Sequence, residues 1–469
     1  MTVTMDLLDA MRAMAGSLLG ENTRFSGVST DSRHVAAGEL YIALRGENFD
    51  GHAFVAGAQA AGAVAAVVSA EAVAPLQSLG LPLIVVADTR LALGALAADW
   101  RARFDLPLIA VTGSNGKTTT KEMIASILRA VFGDAVLVTQ GNFNNAIGLP
   151  LTLLKLSAAH RAAIIEMGMN HPGEIAYLAG IARPTVALVT NAQRAHLAGM
   201  GSIDAIAAEK GSIYQGLREA GVAVFNADDQ WADLWRTQSA RHRIMTFGLE
   251  KPANVRGQCQ LRGLENHLTF SAQGEQVEVA LVLPGVHNAR NALAAATATL
   301  AAGLPLAAVR EGLAAFRGVK GRLQQRLGLN GAILLDDTYN ANPDSVRAGI
   351  DVLAATVGKK LLVLGDMGEI GEMTGQFHDE IGGYAKSQGI DRLFAFGESS
   401  ALAAHNFGAG GKHFKKIEDL INALAAELAG DASGTTVLIK GSRFMRMERV
   451  ADALCAATVS VDGEAASCC

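Results

Sequence analysis

The chain has 469 residues, 40 basic and 45 acidic side chains, a formal net charge of −5 and 50% hydrophobic residues. At ~150 residues per domain this is material for about three domains, and 18% charged residues with a mean hydropathy of +0.24 exclude a largely disordered chain. The acidic balance and the 5% aromatic content exclude a nucleic-acid binder built on a basic stripe or on stacking platforms.

Near the N-terminus, Asp6, Asp9 and Arg12 stand where a signal peptide needs its apolar region, so a cytoplasmic protein is expected. Short apolar runs closed by polar residues or Gly predict strands at 39–44, 64–68 and 83–86, with an Ala-rich helix between 54 and 62. A second zone opens with a strand at 108–112 and a helix at 119–132. It continues through strands at 135–138, 162–166, 186–190 and 222–225, a βαβ rhythm that implies a mostly parallel sheet flanked by helices. Segments 268–270 and 276–283 alternate like antiparallel edge strands. A third zone repeats the βα rhythm at 332–336, 360–364, 393–396 and 436–439.

The predicted fold class is therefore α/β with three domains: a smaller N-terminal one (1–87), a central one with a phosphate-loop sheet (88–316) and a Rossmann-like C-terminal one (317–469). The longest uncharged stretches, 54–70 and 292–309, are filled with Ala, Gly, Thr, Gln or Pro and supply no membrane span. Cys259, Cys455, Cys468 and Cys469 have no metal-ligand spacing and suit a reducing compartment, and the terminal pair is read as tail.

The strongest motif is Gly113-Ser114-Asn115-Gly116-Lys117-Thr118-Thr119, between a predicted strand and a predicted helix. Glycines let backbone N–H groups turn inward, a helix N-terminus favours anions, Lys117 can reach β- and γ-phosphates, and Thr118 can ligate magnesium. It departs from the full consensus, because Val111 stands where the first Gly belongs. A Gly-rich turn that happens to contain Lys is the plain alternative.

Glu166 ends the predicted strand at 162–166, which puts a carboxylate at the same C-terminal sheet edge. It can serve a hard cation or simply hydrogen-bond a turn. His196 follows the strand at 186–190 in the same way, and a lone His is more often structural. Lys210, in Glu209-Lys210-Gly211, reads by itself as a solvated helix lysine.

These four features, in this order, resemble the central domain of the Mur ligases, with folylpolyglutamate synthetases as relatives. The resemblance implies an ATP-dependent enzyme that joins a carboxylate to an amine. In that family the lysine at the position of Lys210 is often carbamylated. Carried over, Thr118 and Glu166 hold one Mg²⁺, and His196 with modified Lys210 holds a second.

Gly285-Val286-His287-Asn288-Ala289-Arg290-Asn291 resembles the adenine-contacting segment, through Asn288 and Asn291. Arg322 and Asp337 resemble the phosphate- and ribose-contacting positions. As bare residues, Asn288 reads as a helix N-cap and Arg322 as a surface linker residue. Ser29-Thr30-Asp31-Ser32-Arg33 and the loop carrying Arg45 and Gly46 resemble the uridine-nucleotide-binding domain, which folylpolyglutamate synthetases lack; an Asx-turn followed by a Gly-rich loop is the alternative.

Tyr339 and Asn340 in 337–345, the run 365–369, and the basic cluster 440–449 resemble the member that adds D-alanyl-D-alanine. So does Gly141-Asn142-Phe143-Asn144-Asn145, a resemblance that implies Asn144 and Asn145 near the acceptor carboxylate and Asn142 among the substrate-binding residues. The basic cluster alone reads as a solvated helix start. The implied substrates are UDP-N-acetylmuramoyl-tripeptide, ATP and D-alanyl-D-alanine, the implied intermediate is an acyl phosphate, and a monomer is expected. Two rivals are a sister ligase adding another amino acid, and a P-loop ATPase switch that releases phosphate without a nucleotide-sugar.

Overall fold

Strand Leu108–Thr112 is buried along its whole length and lies between Ala162–Glu166 and Val186–Val189, parallel to both. The computed structural model describes residues 3–456 and the backbone of 458–459 and 465–466; the Cys468–Cys469 pair lies outside the described residues. The central sheet has nine strands. Its order runs from Glu275–Leu281 through Glu265–Ala272, Val255–Arg262, Arg243–Gly248, Val222–Asn226 and Val186–Val189 to Leu108–Thr112, Ala162–Glu166 and Val136–Val138. Seven of these, from Val136–Val138 to Val255–Arg262, form a parallel run, and the two hairpins at the other edge are antiparallel.

The near-continuous Val/Ile/Leu runs of the inner strands follow from burial on both faces. Ile109 and Val111 pack into one cluster with Met123, Ile124 and Ile127 of helix Lys117–Phe132, while Leu108 and Ala110 face the opposite cluster. That second cluster continues through Leu93 and Leu96 of helix Thr89–Ala102 into Leu40, Val67 and Ile84. The last three belong to a five-stranded N-terminal sheet, parallel apart from Ser17–Leu19.

The C-terminal sheet has six strands, in the order Gln324–Leu327, Ile333–Asp337, Thr435–Lys440, Lys359–Gly365, Arg392–Phe396, Gly411–Phe414, and only the first is antiparallel. Among the described residues no helix is long and apolar enough to cross a membrane.

Strands Arg243–Gly248, Val255–Arg262, Gln324–Leu327 and Gly411–Phe414 go beyond the predicted set. Each begins with or carries charged residues and has at least one solvated stretch, so no apolar run marks it.

Candidate active site

The phosphate loop leaves strand Leu108–Thr112 at the point where the strand order reverses, the position at which open α/β sheets bind ligands. Gly113 has φ +153° and a Cβ there would strike Thr190 Oγ1; Gly116 has φ +80° and a Cβ there would strike Asn291 Oδ1. Only glycine admits both the turn and the close packing. Helix Lys117–Phe132 starts with no side-chain cap at Gly116. Its first-turn N–H groups are therefore available to an anion.

Lys117 Nζ donates to Gly113 O (2.7 Å) and Ser114 O (3.2 Å), so the ammonium sits folded over its own loop. Burial lowers its pKa, and the Glu166 and Glu369 carboxylates oppose that shift. The loop is tied to the segment after strand Val186–Val189. Asn115 N–H donates to Asn191 Oδ1 (2.9 Å), and Asn115 Nδ2 donates to Gln193 Oε1 (2.7 Å).

A cavity of about 510 Å³ opens over this loop. Ser114, Asn115, Gly116, Lys117, Thr118, Glu166 and His196 line it from the central sheet, as do Asn142, Asn144 and Asn145. Glu166 is 2% exposed. Its Oε1 accepts from Asn144 Nδ2 at 2.8 Å, and its Oε2 is buried with no partner. Asn145 Oδ1 also accepts the N–H groups of Ile147 and Gly148, at the entry to helix Gly148–Leu153.

His196, at φ +60°, places Nδ1 3.0 Å from Glu369 Oε2, and burial lowers its pKa. Lys210 is not a solvated helix lysine. It is 1% exposed on the inner side of helix Ile203–Gly211, and burial, reinforced by Lys117, drives its pKa well below the ordinary value. Lys210 does not itself line the cavity.

A second cavity of about 290 Å³ adjoins the first and shares Asn115, Gly116, Arg322 and Ser345 with it. Asn288, Asn291 and Asp337 line it, together with Thr119 and His287. Asn288 is no N-cap: it stands three residues into helix Val286–Ala301, buried, donating to Pro284 O (2.8 Å) and accepting from Asn291 Nδ2 (3.1 Å). Nor is Arg322 a surface linker residue, because its guanidinium stacks 4.2 Å over the Tyr339 ring. The basic run 440–449 does not begin as a solvated helix start. Lys440 ends a buried strand, and its Nζ donates to Asp337 Oδ2 (2.6 Å) and Asn340 O (2.9 Å).

Tyr339 and Asn340 line the first cavity from the C-terminal sheet, together with Gly368, Glu369 and Arg443. The two walls are laced together. Asn342 Nδ2 donates to Asn115 Oδ1 at 2.8 Å, and Arg194 binds Asp344 and Glu380. Sequence reasoning missed Arg194 and assigned nothing to Glu369; a charged residue two positions before His196 was the available signal.

Ser29, Asp31, Ser32, Arg45 and Gly46 line neither cavity. Asp31 Oδ1 accepts Arg33 N–H (3.0 Å), which is the Asx-turn, and its carboxylate pairs with Arg33, which lowers its pKa. Arg45 pairs with Asp50 and Glu71. Burial first, then the Asp31 and Asp50 carboxylates, raises the pKa of Tyr41.

Residues 111–299 match the Mur ligase middle domain, 321–443 the Mur ligase glutamate ligase domain, and 24–101 the Mur ligase family catalytic domain. The chain is 39% identical to UDP-N-acetylmuramoyl-tripeptide–D-alanyl-D-alanine ligase of Haemophilus influenzae, over 96% of this chain and 98% of that one. A crystal structure of MurF from Acinetobacter baumannii superposes with a TM-score of 0.89 at 35% identity, over 96% of this chain and 98% of that one. MurF ligase from Thermotoga maritima, solved in complex with ADP, superposes with a TM-score of 0.78 at 27% identity, over 91% and 96% of the two chains. With three matched domains in this order and full-length relatives at this identity, the chain belongs to the Mur ligase family.

Proposed function

We propose that the chain is an ATP-dependent amide-bond-forming ligase that adds D-alanyl-D-alanine to UDP-N-acetylmuramoyl-tripeptide in the cytoplasm, for peptidoglycan synthesis, and that it acts as a monomer. The observation that carries this reading is the cavity at the seam. The phosphate loop and a buried carboxylate with one unpartnered oxygen form one wall, and a C-terminal wall of a different domain closes over them. The proposed division of labour is residues 1–87 for the UDP-sugar, 88–316 for ATP and 317–469 for ligation.

The tripeptide carboxylate attacks the γ-phosphate of ATP, giving an acyl phosphate and ADP; the dipeptide amine then attacks the carbonyl and phosphate leaves. Both partners of the first step are anionic, so the site must offset their repulsion. Lys117 supplies a cation over the loop carbonyls and, on this reading, turns from them to the transferring phosphate. Asn144 holds Glu166 in place, and the seam excludes water from the acyl phosphate. Asn288 and Asn291 hold adenine, Asp337 the ribose and Arg322 the phosphates. Ser29, Asp31, Ser32, Arg45 and Gly46 take the uridine nucleotide, and Asn142, Asn145, Tyr339 and Asn340 contact the joined substrates.

The residues present fit magnesium. Glu166 Oε2 lacks a partner, and among the described residues no three His, Cys, Asp or Glu form a metal cage. That suits an ion that binds one or two protein oxygens plus phosphates and waters. When bound, magnesium supplies charge compensation at the phosphates, held by Thr118 and Glu166 at one position and by His196 and carbamylated Lys210 at another. An uncharged amine is the form that adds carbon dioxide, and the burial that lowers the Lys210 pKa favours that form.

The test is ADP release with ATP, Mg²⁺, UDP-N-acetylmuramoyl-tripeptide and D-alanyl-D-alanine, omitting each in turn. Dependence on both substrates, with the pentapeptide nucleotide as product, is expected. ADP release indifferent to both would leave only a nucleotide hydrolase.

A further inference from the structure

Lys121 lies one turn beyond Lys117 on helix Lys117–Phe132 and is buried. A buried ammonium is costly unless it is paired and hydrogen-bonded, and packing alone would be served by an apolar side chain, as at Met123, Ile124 and Ile127 of the same helix. Lys121 Nζ donates to Thr139 O at 2.7 Å and pairs with Glu122 Oε1 at 2.7 Å. Thr139 directly follows strand Val136–Val138 and is fully buried. Its polar groups are all engaged: the N–H donates to Ile164 O at 3.1 Å, Oγ1 accepts the Glu166 N–H at 3.0 Å, and the carbonyl takes the lysine.

Beyond Thr139 the chain leaves the sheet as the loop that brings Asn144 back to Glu166. Asn144 Nδ2 donates to Glu166 Oε1 at 2.8 Å, and Gly168 N–H donates to Asn144 O at 2.8 Å. The loop is closely seated, since a Cβ on Gly168 would fall 2.9 Å from Asn144 Oδ1, and one on Gly148 would fall 2.4 Å from Phe143 Cα. Glu166 is thus braced twice by one segment, through its backbone N–H at Thr139 and its Oε1 at Asn144. Lys121 pins that segment at its base. Oε2 alone is left without a partner.

We propose that Lys121 and Thr139 are positioning residues for Glu166: the buried ammonium fixes the strand end, and the strand end holds the carboxylate with Oε2 free beside the phosphate loop. Two lysines one turn apart on one helix face then divide the work. Lys117 serves the phosphates directly, and Lys121, which lines neither cavity, acts only through the carboxylate that faces them. The inference rests on the reading of Glu166 as the group that serves the cation bound with ATP.

The experiment measures binding of the β,γ-imido analogue of ATP to the full chain by calorimetry, with and without Mg²⁺ and with no other substrate present. Wild type is expected to bind roughly tenfold or more tighter with Mg²⁺, and Glu166→Gln to lose most of that gain. Lys121→Met and Thr139→Val are each expected to reduce the gain roughly fivefold or more, with affinity in the absence of Mg²⁺ within about twofold of wild type. Thr139→Ser, which keeps the hydroxyl, is expected to restore the gain to within about twofold. Adding either Lys121→Met or Thr139→Val to Glu166→Gln is expected to cost nothing further, because both act through Glu166. A wild-type gain in either single variant, a Thr139→Ser that behaves like Thr139→Val, or a further loss in a double variant overturns the inference. Where Lys121→Met does not fold, Thr139→Val and its rescue by Thr139→Ser decide. A Glu166→Gln variant with the wild-type gain overturns the reading of Glu166 instead.

Discussion

Arg194 grips Asp344 across the seam between the central and C-terminal sheets. Its backbone N–H donates to Oδ2 at 2.8 Å, while Nε and Nη2 both donate to Oδ1, at 3.0 and 2.6 Å. The same guanidinium reaches Glu380 (3.1 Å) and lies 5.2 Å from the Phe377 ring centroid. Because Arg194 stands two residues before His196, closing the seam and setting the His196 loop are one event. Arg194→Ala and Asp344→Ala are each expected to loosen the closed arrangement, and their double-mutant cycle should give a coupling of about 1–3 kcal/mol. Urea unfolding reads the coupling, and a larger radius of gyration in solution scattering reads the opening.

The phosphate loop makes two separable demands. Lys117→Ala removes the cation and is expected to lower turnover by about 10²–10³-fold with little change in fold. Gly116→Ala puts a Cβ against Asn291 at φ +80°, a strain of about 1–3 kcal/mol. It is expected to weaken ATP binding roughly tenfold, measured by calorimetry. A near-normal rate in Lys117→Ala refutes its role.

Lys210 tests the modified-lysine reading. Lys210→Ala is expected to lose roughly 10–100-fold in activity and to recover part of it with added formate or acetate, which restore an anion in the vacated space. A variant at wild-type rate, indifferent to both, removes Lys210 from the site.

His287 couples stability to pH. Burial, then Lys440 and Arg290, bring its pKa down to about 4, and it stands beside the Asn288 amide, with Nε2 and Nδ2 3.2 Å apart. The unfolded chain takes up this proton near the ordinary value and the folded one does not. Stability is therefore intact at neutral pH and is lost as pH falls from ~6.5 toward ~4. Between pH 7 and pH 4.5, His287→Gln should lose about 2 kcal/mol less than wild type in urea unfolding.

What was legible differs element by element. Leu108–Thr112 and Ala162–Glu166 announced themselves because strands buried on both faces must be apolar throughout. Gln324–Leu327 and Gly411–Phe414 did not, since an edge strand needs only a partner to pair with and can carry charges on its open side. Glu166 was placed correctly at the sheet edge, because strand length alone sets where the chain emerges. Lys210 and Lys440 read as solvated side chains, since nothing in their neighbours' identities records burial.

The sequence by itself determined the α/β class, the phosphate loop and the family resemblance. All three rest on local order: periodicity, the strand–glycine–helix succession, and motif residues in a row. The tertiary structure alone decided that Arg194 meets Asp344, that Asn115 meets Asn342, and that Glu369 and Arg443 share one wall. Those pairs lie up to 227 residues apart along the chain. Contacts at that separation depend on how two sheets close on each other, which no local pattern of residues encodes.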